Sequence, residues 1–146
     1  MNGNGMLVVV SAPSGCGKDT VFKEIRKKRD DIVESVSATT RKPRDGEIDG
    51  VNYYFLSDDE FKKLYPDSVS IFLVPPSWET LEQRLRARNS EAEEMIQKRL
   101  KIAKSELLCQ DKYDYKVVND NLDDCVNDIE KILCEELKKR NNIKNA

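Results

Sequence analysis

The residues best suited to chemistry form one run, residues 11–20, reading S-A-P-S-G-C-G-K-D-T. Gly15 and Gly17 permit backbone conformations that other residues resist, so successive amide N–H groups converge on an anion. A helix starting directly after them adds unpaired donors and a partial positive charge. Lys18 adds a full charge at the height of a nucleotide's β- and γ-phosphates. The run departs from G-x-x-x-x-G-K-[ST] twice: Ala12 takes the first glycine position, and Asp19 stands where a hydroxyl would face magnesium. Either Asp19 holds the metal through a water, or Thr20 substitutes. Ser14, Gly15, Cys16, Gly17, Lys18, Asp19 and Thr20 thus imply a phosphate cradle but no particular reaction. The same run would also serve as a glycine-rich turn that binds nothing.

Such a cradle needs a strand before it and a helix after it. Residues 6–10 are apolar with β-branched Val8, Val9 and Val10, a buried strand. Val21, Phe22 and Ile25 have the spacing of one helix face, over about 20–28. A second strand is expected over 32–40, then a polar, turn-rich stretch over 41–50. Tyr53, Tyr54 and Phe55 mark a third strand over 51–56. Ser57 opens a short helix carrying Phe61 and Leu64. Val69–Val74 is a near-continuous apolar strand ended by Pro75-Pro76, and Ser77 caps a helix that turns Leu81 and Leu85 inward. Ser90 with Glu93 predicts a capping box before a helix aligning Ile96, Leu100, Ala103 and Leu107. A last strand over 115–119 precedes a helix with Leu122, Val126, Ile129, Leu133 and Leu137 on one face. Strands alternating with helices imply an α/β fold with a mostly parallel sheet and ligands at the strands' C-terminal ends.

Bulk properties narrow the partners. At 146 residues the chain is one domain with a single sizeable core. The 25 basic and 27 acidic residues nearly cancel, so no overall field favours nucleic acid or an anionic membrane. No apolar run approaches a membrane span, and the opening M-N-G-N-G lacks the charged and apolar regions of a signal peptide. Cys16, Cys109, Cys125 and Cys134 form no C-x-x-C pair, which fits a reducing, cytoplasmic compartment. Cys16 lies where a helix N-terminus lowers a thiol pKa, or else is simply a small residue suited to a tight turn. The absence of histidine excludes His-activated nucleophiles and His-rich metal sites.

Two arginine groups lie beyond the cradle. Arg41 and Arg44 flank Lys42-Pro43 at a strand's end, with Ser37 and Tyr53 nearby in sequence. Guanidinium forks bind phosphate oxygens bidentately, as a second nucleotide's phosphate would require; a solvated basic loop fits equally. Arg84, Arg88 and Arg99 bracket an Asn89-Ser90-Glu91 turn, from which they would swing over a donor's phosphates. Alternatively they line a solvent-facing helix with Glu82, Glu91, Glu93 and Glu94 as partners.

In order, the cradle run, V-S-A-T-T-R-K-P-R-D-G-E-I-D-G-V-N-Y-Y-F, P-P-S with R-L-R-A-R-N-S-E and K-R-L, and V-V-N-D-N-L closely resemble the guanylate kinase family over nearly the whole chain. The T-T-R-x-P-R-x-G-E segment is specific to that family. The resemblance implies a three-layer P-loop kinase fold in one domain, 1–146. Its core would be 1–35 and 65–146, the GMP-binding lobe about 36–64, and the lid about 86–97. It implies phosphoryl transfer from ATP to GMP with Mg2+, in purine nucleotide metabolism, by a monomer or homodimer. By position, Ser37, Arg41, Arg44 and Tyr53 match the family's GMP contacts, Arg88 and Arg99 its lid arginines, and Asn119 a residue beside the adenine. Lys18, Arg44, Arg88 and Arg99 are then the catalytic residues, ATP takes 14–20 with Asn119, and Mg2+ falls to Asp19 through water.

One departure matters. After Leu64 the chain runs directly into Tyr65-Pro66-Asp67, which resembles the stretch before the next core strand. Several dozen family residues are skipped, including the Glu, Tyr and Ser/Thr of the GMP lobe and an Asp-bearing strand beside the phosphate loop. The expected fold therefore has an incomplete GMP lobe and lacks one central strand, leaving the edges of that strand's two neighbours unpaired. Asp58, Asp59 and Glu60 stand in the wrong motif to replace the lost acids. The alternative function is a catalytically impaired nucleotide-binding or protein-interaction domain.

Overall fold

The computed structural model describes residues 5–13, 15–35, 38–39, 42–43, 45–57, 60, 63–87 and 92–144. In chain order these form β1 (Val8–Ser11), α1 (Lys18–Lys28), β2 (Ala38–Thr39), β3 (Tyr54–Phe55), β4 (Val69–Val74), α2 (Trp78–Ala87), α3 (Glu93–Leu107), β5 (Tyr115–Val118) and α4 (Leu122–Lys144). A 3-10 turn, Gln110–Lys112, links α3 to β5.

The main sheet is parallel, in the order β1-β4-β5. Val8 lies opposite Val69 and Ser11 opposite Phe72, while Ile71 faces Tyr115 and Val74 faces Val118. β4 is therefore the central strand, and Ile71 and Leu73 are fully buried. Its odd-numbered residues pack with Val21 and Ile25 of α1, and with Val126, Ile129 and Leu133 of α4. A second cluster lies under α2 and α3: Leu81, Leu85, Ile96, Leu100 and Ala103 close around Cys16. The parallel sheet with its helices is the α/β fold that the alternating pattern predicts, and one cluster joins the sheet to α1 and α4 while the other joins α2 and α3 to the loop after β1. Burying each such Leu or Ile contributes roughly 1.5–3 kcal/mol, enough for the two clusters to fix where the loop after β1 must sit.

Several local expectations hold. Ser77 Oγ accepts the Thr80 N–H at 3.1 Å and caps α2. Ser57 and Glu60 cap reciprocally, at 2.7 and 3.1 Å, where a short helix was expected; residues 60 and 63–64 are helical, while Phe61 lies outside the described residues.

Others need correction. β1 begins two residues later than the apolar run and extends to Ser11, and α1 starts at Lys18 rather than near Thr20. Of the strand expected over 32–40, Ala38–Thr39 forms β2, residues 32–35 are irregular with Val33 90% exposed, and residues 36, 37 and 40 lie outside the described residues. The strand over 51–56 shrinks to Tyr54–Phe55, because Ile48 O accepts the N–H groups of Val51 and Asn52 and curls the preceding residues into a turn. The Ser90–Glu93 box does not cap α3. Ala92 takes the cap position with no side-chain bond, and the Glu93 carboxylate is held by Arg86 at 2.6 and 2.9 Å and Gln97 at 2.9 Å; Ser90 lies outside the described residues.

β2 and β3 pair with each other in a separate two-stranded sheet. β1 has β4 on one side and, among the described residues, no strand on the other. That open edge is one of the two that the skipped segment predicts.

Candidate active site

β1 delivers the chain into a loop that returns at Gly17. Pro13 O accepts the Cys16 N–H at 3.2 Å and tightens the turn. Gly15 (φ 89) and Gly17 (φ 74) both adopt left-handed conformations that a side chain resists. Gly17 is the N-cap of α1 and brings no side-chain cap, so no side chain at that position competes with an anion for the first donors of the helix. Lys18 follows as the first helical residue, half-buried, with Asp19 and Thr20 exposed beside it. Glycines, helix terminus and lysine therefore meet as the sequence predicts, at the C-terminal end of a parallel strand. Ser14 lies outside the described residues.

The loop is anchored from two directions. A Cβ on Gly15 would lie 3.0 Å from Leu85 Cδ2 and 3.3 Å from Leu81 Cδ1, so the turn rests directly on α2. Cys16 plugs the cluster between α2 and α3. Burial pushes its thiol up to about 11; Arg84 opposes the shift and Glu106 adds to it. The helix terminus does not activate this thiol, and Cys16 is a packing residue. From the other side Asn119, just beyond β5, donates from Nδ2 to Cys16 O at 2.5 Å.

The remaining site residues are placed less completely. Tyr53 immediately precedes β3, bridges to Asp49 and has its ring centroid 6.0 Å from that of Phe55, beside the small sheet rather than the main one. Arg99 is half-buried on α3, next in sequence to Leu100 of the Cys16 cluster. Ser37, Arg41, Arg44 and Arg88 lie outside the described residues. Sequence reasoning passed over Arg86, which bridges Glu82 on its own helix and Glu93 on α3. The four-residue spacing of Glu82 and Arg86 was the available signal. Arg86 draws the Glu93 carboxyl down to about 2, with Gln97 assisting.

No group of three or more acidic, His or Cys side chains able to cage a metal occurs among the described residues. Exposed Asp19 suits Mg2+, which takes one or two carboxylates and completes its shell with water and substrate phosphates.

The profile of the Guanylate kinase family matches residues 4–68 and 62–136. The chain belongs to the guanylate kinase family. It is 39% identical to the guanylate kinase of Carboxydothermus hydrogenoformans over 181 positions, covering 90% of this chain and 89% of the relative. It is 34% identical to that of Zymomonas mobilis, covering 95% and 88%. The crystal structure of guanylate kinase from Anaplasma phagocytophilum superposes with a TM-score of 0.55 at 27% identity, covering 91% of this chain and 86% of that one.

Within the family this chain is short in the middle. The two profile matches meet at residues 62–68, where the sequence skips from Leu64 to the approach of β4. An alignment of 181 positions that draws on 90% of 146 residues leaves about 50 positions with no residue here.

Proposed function

We propose that this chain transfers the γ-phosphoryl group of ATP to GMP, giving ADP and GDP. The observation that carries the reading is Lys18 heading α1 directly after left-handed Gly17, at the end of a parallel strand, in a chain whose relatives are named guanylate kinases. Phosphoryl transfer asks little covalent chemistry of the protein, so positioning and charge stabilisation do most of the work. The loop amides and Lys18 hold the donor's terminal phosphates. Ser37, Arg41, Arg44 and Tyr53 hold the acceptor phosphate in line with them. Arg88, in a lid of about 86–97, and Arg99, two residues beyond it on α3, neutralise charge on the group in flight. Bound Mg2+, held through water by Asp19 with Thr20 beside it, would offset charge on the phosphate oxygens. With this reading go a cytoplasmic location and a monomer or homodimer.

The test is ADP release in a coupled assay with GMP, AMP or UMP as acceptor. GMP-dependent release supports the reading. ATP binding without any acceptor-dependent turnover refutes it and favours the impaired nucleotide-binding alternative, since the skipped segment is the one to which the resemblance assigns the guanine-reading carboxylate.

A further inference from the structure

Asn119 is buried, and it is the one polar side chain so buried among the described residues. Its backbone N–H donates to Val74 O at 2.9 Å, which fixes it at the C-terminal end of β4. Its side chain reaches across the sheet's end to Cys16 O at 2.5 Å. The partner is a carbonyl, so the amide nitrogen must face it.

A loop whose N–H groups converge on an anion has to send its carbonyls elsewhere. Cys16 is buried with its side chain between α2 and α3, so its carbonyl points into protein rather than water. A buried carbonyl without a donor is costly. Asn119 supplies that donor, and a Cβ on Gly17 would lie 3.1 Å from the same Nδ2. The amide therefore presses against the residue that precedes Lys18.

We propose that Asn119 is a positioning residue for the donor phosphates. It holds the Cys16 carbonyl inward, which keeps the amide groups ahead of α1 turned toward the nucleotide. It touches neither phosphate nor, in this role, the base. The inference rests on the phosphate-site reading of the loop, and it differs from a place beside the adenine in one measurable way. A residue that acts through the loop matters equally for a ligand with no base.

The experiment compares Mg-ATP with inorganic tripolyphosphate by titration calorimetry on the wild-type chain, Asn119→Ala and Asn119→Asp. Asp keeps the shape but turns an acceptor toward the carbonyl, and it serves if Ala does not fold. The expected result is a loss of affinity of about tenfold to a hundredfold, by the same factor for both ligands, with the circular dichroism spectrum unchanged. Weakened ATP binding with intact tripolyphosphate binding overturns the proposal in favour of a base contact. A lowered melting temperature with both affinities intact reduces Asn119 to a structural residue. A wild-type chain that binds neither ligand sinks the phosphate-site reading, and this inference with it.

Discussion

Replacing three glycines by alanine, one at a time, tests whether the loop packs as described. Gly15, Gly17 and Gly46 all have positive φ, at 89, 74 and 84. An L-residue there costs roughly 1–2 kcal/mol, offset by about 0.4–1 kcal/mol gained from a stiffer unfolded chain. At Gly46 nothing lies within 4 Å of the added methyl, so that variant isolates the backbone term at about 1 kcal/mol. At Gly17 the methyl meets the Asn119 amide at 3.1 Å and weakens its bond to Cys16, adding about 1 kcal/mol. At Gly15 it meets Leu85 Cδ2 and Cγ at 3.0 and 3.1 Å; these are core atoms, and overpacking adds about 2 kcal/mol. The expected order of destabilisation is Gly46, Gly17, Gly15, at about 1, 2 and 3 kcal/mol, each kilocalorie lowering Tm by about 2–4 °C. Urea unfolding with a constant slope measures it. ATP titration is the second readout: affinity falls in Gly15→Ala and Gly17→Ala and holds in Gly46→Ala. Three equal losses of stability would refute the loop's packing on α2 and Asn119. Losses in that order with ATP affinity intact in all three would refute its role as the phosphate site.

Lys18→Ala is expected to weaken ATP binding at least tenfold, because it deletes a charge-assisted bond to phosphate; calorimetry showing equal affinity removes the cradle. Arg99→Ala is expected to lower kcat about a thousandfold while the protein stays folded, the loss typical of an arginine that stabilises a transferring phosphoryl group; unchanged turnover removes the lid assignment. Native thiol labelling should reach exposed Cys134 first and leave buried Cys16 and Cys125 protected until the chain unfolds. Burial holds both protected thiols near about 11, against 9 for a free thiol. The unfolded chain therefore sheds their protons first, and stability should fall as pH rises from 9 toward 11. A flat urea midpoint across that range counts against their burial.

Legibility in the sequence followed the range of the interaction. The loop, β4 and α4 were readable because their signals are local: glycines beside a lysine, an unbroken apolar run, and Val126, Ile129 and Leu133 at helical spacing. The strand over 32–40 failed for the opposite reason. Ile32 and Val33 have strand-forming side chains, yet a strand exists only where a neighbour pairs with it, and composition does not reveal the neighbour. The box at Ser90 and Glu93 had the right spacing, but the Arg86 guanidinium on the previous helix binds the same carboxylate twice. Asn119 shows the limit most plainly. V-V-N-D marked it as a site residue, but its bond to the loop joins residues 103 positions apart, a contact that only the fold creates.

The buried contacts also explain how a chain missing about 50 family positions keeps the glycine-rich loop after β1 packed in place. The loop is held by Leu81 and Leu85 of α2, by Ile96, Leu100 and Ala103 of α3 through Cys16, and by Asn119 after β5. All of these residues come after the break at 62–68. None belongs to the skipped segment, whose loss shows instead at the open edge of β1 and in the separate β2–β3 sheet. Cys16 also ties the loop to α2 and to α3, the helix that carries Arg99. On the proposed reading, donor binding and lid placement would draw on one packed cluster, while acceptor recognition would depend on the part of the chain that is short. Substitutions in that cluster, such as Leu100→Ala, should damage ATP affinity and stability together. Substitutions in the β2–β3 region should change acceptor use alone, and the two sets should combine additively, as expected of positions in a separate sheet and a separate cluster.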